Sequence, residues 1–157
     1  ASLFIKVPED DFDKYVKDIY IRAAKEIGDI PLVVANDGDL TERMLHPSME
    51  VEKTYLARVS NEMTIEEARQ LERGVMVDGR MTAKAKAKIL SQQNLFTDML
   101  ITIHEGRNRQ VRKMVEQIGH QVVLLRRIRF GPLKLGDLPR GMWRPLTDEE
   151  LSQILNL

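Results

Sequence analysis

Phe96-Thr97-Asp98-Met99-Leu100-Ile101-Thr102-Ile103-His104-Glu105-Gly106-Arg107-Asn108-Arg109-Gln110-Val111-Arg112-Lys113-Met114-Val115-Glu116-Gln117-Ile118 is the stretch whose reading sets the fold class. Phe96 to His104 reads as a strand. From Asn108 to Ile118 the apolar period changes to that of a helix: Val111, Met114, Val115 and Ile118 fall at i, i+3, i+4 and i+7 and form a buried stripe. Gly106 permits the strand-to-helix turn and a close approach of a ligand backbone. Asn108 is placed to cap the helix, and Gly119 to end it.

Working outward, the same alternation of elements continues on both sides. Upstream, Lys53 to Val59 reads as a strand. Thr64 to Arg73 reads as a helix with a Thr64/Glu67 capping box and Gly74 just past its end. Val75 to Val77 is a short strand, broken by an Asp78-Gly79 turn. Thr82 to Leu90 alternates, with Ala83, Ala85, Ala87 and Ile89 on one face and Lys84, Lys86 and Lys88 on the other, as a strand does. Further upstream, a strand over Leu3 to Val7, a helix over residues 9 to 28 and a strand over Ile30 to Ala35 lead to the turn Asn36-Asp37-Gly38-Asp39. A short helix from Leu40 to Leu45 follows. Downstream, Gln121 to Phe130 and Pro132 to Leu135 are strands, and Thr147 to Leu155 is a closing helix capped by Thr147.

Strands outnumber helices and several are joined by short turns. The expected architecture is therefore α+β, a mixed and largely antiparallel sheet with flanking helices. The chain of 157 residues suits one domain, or two lobes sharing a sheet with a boundary near residues 60 to 64. There are no cysteines, which excludes disulfides, thiolate metal sites and thiol chemistry, and fits a reducing cytoplasm. No apolar run is long enough to span a membrane, and residues 1 to 6 do not read as a secretory signal. A cytoplasmic location and a monomeric state are the expectations.

Net charge is zero, but its distribution is not even. From His104 to Arg144 there are ten Lys or Arg against three acids, whereas residues 1 to 31 carry five bases against seven acids and the last thirteen residues carry three acids and no base. A basic segment lies between acidic ends, which suits an anionic partner. Within it, Arg109, Arg112, Lys113 and Glu116 share one helix face, so three cations point together near a helix N-terminus, with Arg126, Arg127 and Arg129 in the adjoining strand. Guanidinium forks of this kind position phosphates. A solvated basic face without a partner is the competing reading of the charge pattern alone.

The residues that decide between these readings form an ordered set. Gly106 to Met114 resembles the G-R-N-R-Q-V-R-(R/K)-M signature of the RsuA-like ribosomal RNA pseudouridine synthases. Asn36-Asp37-Gly38-Asp39-Leu40, Arg43, His46-Pro47 and Lys53-Thr54-Tyr55 resemble the family's N-D-G-x-L…R…H-P…K-x-Y block. Leu71 to Val75, Asp78-Gly79 and Thr82-Ala83 resemble its L-x-x-G-V…D-G…A block. Gly119-His120, Leu125-Arg126-Arg127, Gly131-Pro132 and Leu146-Thr147 resemble its tail. No single block is specific; their joint order over about residues 32 to 155 is.

The resemblance implies an enzyme that isomerises uridine to pseudouridine in ribosomal RNA, with no metal and no organic cofactor. An aspartate is the nucleophile, and the target nucleotide is flipped out of its stack. Tyr55 matches the tyrosine that stacks on the uracil. Arg112 matches the arginine that pairs with the nucleophile and keeps it ionised. Arg107, Asn108, Arg109, Gln110 and Lys113 match positions in the RNA-facing turn and helix. The small N-terminal S4-like module usual in the family has no counterpart in the sequence.

One motif departs from the pattern. The family carries G-R-L-D-x-x-T-x-G before the N-D-G block, and its aspartate is the nucleophile. Here Ile30-Pro31 runs directly into Leu32-Val33-Val34-Ala35. Asp37 and Asp39 belong to the turn block and are read as turn residues. Two readings stay open. Either the protein carries the motif in a segment that belongs between Pro31 and Leu32, which the intact flanks favour, or the chain is an inactive relative that binds ribosomal RNA.

Overall fold

The structure is a computed structural model that describes residues 49–139, 142 and 144–156. The expected elements upstream of residue 49, and the Asn36-to-Pro47 block with them, lie outside the described residues. Strand β1 (Lys53–Ser60) is followed by helix α1 (Ile65–Arg73) and a small hairpin, β2 (Met76–Val77) and β3 (Arg80–Met81). Then come β4 (Lys86–Gln93), β5 (Phe96–Ile103), helix α2 (Gln110–Gln117), β6 (Val122–Phe130), β7 (Leu133–Lys134) and helix α3 (Asp148–Leu155).

Five strands form one sheet in the order β4-β5-β1-β6-β7, and every pairing in it is antiparallel. The α+β reading is therefore borne out. β1 occupies the centre because its two faces are both usable. Lys53, Tyr55, Ala57 and Val59 are buried, and Thr54, Leu56, Arg58 and Ser60 are half-buried on the other face. β5 alternates in the same way, burying Thr97, Met99, Ile101 and Ile103.

Helices α1 and α2 cover the inner face of the sheet. Ala68 and Leu71 from α1, with Val111, Met114 and Val115 from α2, join the inner residues of β1 and β5 in one core. Burying a side chain of this size stabilises the fold by about 1.5–3 kcal/mol each. A second, smaller cluster of Val51, Phe130, Leu133 and Ile154 seats α3 near β7.

Sequence punctuation works as expected at α1 and α3. Thr64 accepts from the Glu67 amide and Glu67 reaches back to the Thr64 amide, and Thr147 and Glu150 repeat the arrangement. Gly74 is obligatory at its position. Its φ is +101°, and an added Cβ would lie 2.4 Å from the Thr82 carbonyl oxygen. Thr82 approaches that closely because its own amide donates to Val75 O (2.9 Å) and its hydroxyl accepts from Val75 N (2.9 Å).

Two local expectations need correction. The alternating stretch 82–90 is not one strand: β4 begins only at Lys86 and runs on to Gln93. The amides of Thr82, Ala83 and Ala85 donate instead to Val75 O, to the Glu105 carboxylate and to Glu72 O. Alternating exposure persists there without a ladder, so the period reported exposure and not pairing. The helix expected from Asn108 starts at Gln110, and Asn108 does not cap it. Arg109 stands at the N-cap with φ 50° and ψ 36°, in the left-handed region, and no side chain caps the helix.

β6 carries the other irregularity. Its partners along β1 jump from Arg129 to Arg127 between Thr54 and Tyr55, and from Leu124 to Val122 between Arg58 and Val59. Ile128 and Val123 are thus extra residues in the strand, two β-bulges. The first shifts the parity of the strand, so that Arg127 and Phe130 are both buried.

Candidate functional site

The turn that links β5 to α2 is braced from within. One oxygen of Glu105 accepts from the Ala83 amide (2.8 Å), and the other from the Gln110 side-chain amide (2.9 Å). Arg107 spreads its guanidinium over the β2–β3 hairpin, donating to the carbonyls of Arg80 (3.1 Å), Met81 (3.3 Å) and Val77. Gln110 is buried and also accepts from the Arg107 amide (3.4 Å). The turn therefore holds its shape through side chains. Gly106 does not have positive φ, and a Cβ there would meet only Lys53 Nζ at 3.8 Å.

The structure separates the predicted RNA-facing residues into two groups. Arg107 and Gln110 spend their polar atoms on the fold. Asn108 and Arg109 are exposed. Lys113 stands on the outer side of α2 and pairs with Asp78 at 2.7 Å, where the ammonium holds the Asp78 carboxyl below its ordinary range. Arg112 is half-buried and donates to the Val122 carbonyl (3.4 Å). The expected cluster of three parallel cations is thus divided: Arg109 faces water, Lys113 an acid and Arg112 a strand carbonyl.

Tyr55 lies on the inner face of β1, buried in the core that also contains Val111, Met114 and Val115 of α2. Its neighbour across β6 is Arg127, which is 2% exposed. The Arg127 guanidinium hydrogen-bonds the phenol of Tyr55 and lies 5.2 Å from the centre of the Phe130 ring. Burial raises the Tyr55 pKa, and the charge and hydrogen bond of Arg127 oppose that rise. Lys53 is buried two residues away and donates to Glu105 O (3.2 Å). Burial lowers its pKa, and the nearby Arg127 charge lowers it further.

A phenol, a guanidinium and an ammonium thus share a desolvated strip of sheet beside the braced turn. Such a strip suits an anion or a polarised carbonyl, because charge interactions strengthen as water is excluded. Sequence reading found Tyr55 and Arg112 but passed over Arg127 as one cation in a run. Only the bulge at Ile128 sets it apart from Arg126 and Arg129, both exposed. Among the described residues no three His, Asp or Glu side chains converge to hold a metal ion. No helix among them is long and apolar enough to cross a membrane.

A sequence profile described as RNA pseudouridylate synthase matches residues 32–117. The chain belongs to the RNA pseudouridylate synthase family. The matched span includes Lys53, Tyr55 and the whole Glu105-to-Lys113 segment, and Arg127 lies beyond it. The chain is 42% identical over 125 residues to ribosomal large subunit pseudouridine synthase B of Bacillus subtilis (strain 168), covering 78% of this chain and 51% of that protein. It is 35% identical over 127 residues to the Vibrio cholerae protein of the same name, covering 80% of this chain and 40% of that one. Among solved structures, one described as the crystal structure of pseudouridylate synthase superimposes with a TM-score of 0.71 at 31% identity, covering 76% of this chain and 52% of that chain. The chain spans about half the length, or less, of these relatives.

Proposed function

We propose that this pseudouridylate synthase family member isomerises a uridine of large-subunit ribosomal RNA to pseudouridine. The observation that carries the reading is the placement of Tyr55. The tyrosine of the K-x-Y block is buried on the inner face of the central strand, inside the residues that match the family, and beside two buried cations. Relatives named for the large subunit support that choice of RNA.

In this reading the phenyl ring of Tyr55 packs against the flipped uracil, an aromatic platform of the kind unstacked bases require. Burial keeps the phenol protonated at neutral pH, since its pKa is raised. Asn108, Arg109 and Lys113 contact phosphates at the edge of the site, and Arg107 and Gln110 act by holding the turn that presents them. Arg112 keeps the nucleophilic carboxylate ionised. That carboxylate belongs to an aspartate in a G-R-L-D segment between Pro31 and Leu32, where the given sequence has no such residue. The uracil leaves its ribose as the C–N bond breaks, turns, and rejoins through C5. The hydrogen on C5 is then lost to solvent and the atoms otherwise balance, so the product is an isomer.

Release of tritium from ribosomal RNA labelled at uridine C5 tests this directly. The expected result is release from naked large-subunit RNA, together with an intact-protein mass above 18.1 kDa by the weight of the missing motif. A mass of 18.1 kDa with no release would overturn the enzymatic reading.

A further inference from the structure

We infer that Arg127 is a positioning residue for Tyr55, fixing the phenol so that its own hydrogen is directed to the reacting uracil or its carboxylate partner. The inference rests on the reaction proposed above. Arg127 is fixed from three sides. It is the cross-strand partner of Tyr55, it is 2% exposed, and its guanidinium lies 5.2 Å from the centre of the Phe130 ring. Phe130 is itself buried among Val51, Leu133 and Ile154.

The bond between the two side chains has one sense. A guanidinium only donates, so the phenol oxygen must accept. The phenolic hydrogen is therefore left for a different acceptor, on the side away from Arg127. A tyrosine ring in a core can turn about its side-chain bonds, and a single buried donor on its oxygen removes that freedom. This is preorganisation by a second group, with no contact between Arg127 and substrate.

The cost of such an arrangement argues that it is kept for a purpose. A buried guanidinium loses hydration worth several kcal/mol, and a similarly sized apolar side chain would often stabilise the fold as well or better. The sheet needs an extra residue, Ile128, to turn Arg127 inward at all. Two neighbouring arginines, Arg126 and Arg129, stay in water.

The test is carbon-13 NMR of the tyrosine Cζ atoms in the full chain, following ionisation with pH. In R127M the Tyr55 resonance is expected to titrate at higher pH, with proton affinity raised about tenfold, because the opposing charge and hydrogen bond are gone. R127K is expected to restore part of the difference, and Tyr15 and Tyr20 are expected to titrate as before. Identical Tyr55 titrations in R127M and the parent protein would overturn the assignment. If R127M does not fold, Y55F supplies the second measurement. The Arg127 Nε–Hε signal is expected to move and to exchange faster with water, and an unmoved signal rejects the bond. In the tritium assay, R127M is expected to lower kcat about tenfold or more with KM little changed, as for a group acting on the transition state. Equal losses in kcat and in RNA binding would reject the positioning role. Absence of tritium release from the parent protein would sink the proposed reaction, while the Tyr55 titration would still decide the bond.

Discussion

The basic turn with α2 and the Tyr55–Arg127 strand pair carry the same kinds of side chain and use them in opposite ways. On the turn, Arg109 stays in water and Lys113 pairs with exposed Asp78. These are groups whose attraction for an anion is screened by salt, worth little individually and useful in number. On the strand pair, Arg127 is withdrawn from water and meets one phenol and one ring. Formal charge is equal in the two regions. Desolvation decides whether a cation attracts a chain of phosphates or fixes one atom.

The largest effect expected to sharpen this contrast is on Arg112, which lies between the two regions. Arg112→Ala should reduce pseudouridine formation about a thousandfold, the scale of losing a group that stabilises the reacting charge. RNA affinity should change only severalfold in a filter-binding assay. A parallel fall in both would place Arg112 with the surface cations.

Next comes the frame beneath the turn. Gly74→Ala should destabilise the chain by about 2 kcal/mol or more in denaturant titrations, since it combines a positive φ with a clash against the Thr82 backbone. Arg109→Gly should go the other way and raise stability by about 0.5–1 kcal/mol, because glycine removes the left-handed strain at φ 50°. A destabilised Arg109→Gly would show that the arginine side chain supports the fold.

Smaller effects belong to the solvated cations as RNA contacts. Replacing Arg109 or Lys113 by alanine should weaken RNA binding a few-fold each and lower the slope of log affinity against log salt by about one. An unchanged slope would remove that residue from the phosphate contacts.

The smallest effect concerns α3. Arg144 holds Glu150 in a two-point pair at 2.7 and 2.9 Å, and the Glu150 pKa is lowered to about 2, first by that bond and then by the Thr147 backbone. A depressed folded-state pKa contributes stability that is present above the unfolded value of about 4.5 and lost as pH falls toward 2. The pair is close to solvent, so the effect is modest. Thermal unfolding of Glu150→Gln should show a weaker decline across that window than the parent chain, and an unaltered decline would assign it to other carboxylates.

Much of this architecture was legible in residue order. The central strand, the capping boxes at Thr64 and Thr147, the Gly74 stop and the buried stripe of α2 each depend on local rules of period and cap chemistry, and each is found. What escaped depends on distant partners. Thr82 to Ala85 alternate like a strand, but their amides are taken by α1 and by Glu105, far away in sequence. Asn108 is a good cap by type, yet Arg109 takes the left-handed turn because Glu105, Arg107 and Gln110 already fix the turn. Arg127 could not be told from its neighbours, since a bulge is a property of two strands together. Tyr55 and Arg112 were found from their motif, and the family profile covers both positions.

The inserted Ile128 has a mechanical result. It lets one side chain touch both apolar clusters, through Tyr55 in the larger and Phe130 in the smaller. The C-terminal helix is seated on the smaller cluster through Ile154. Tension at the end of the chain therefore has a rigid rod, one residue long, along which to reach the phenol.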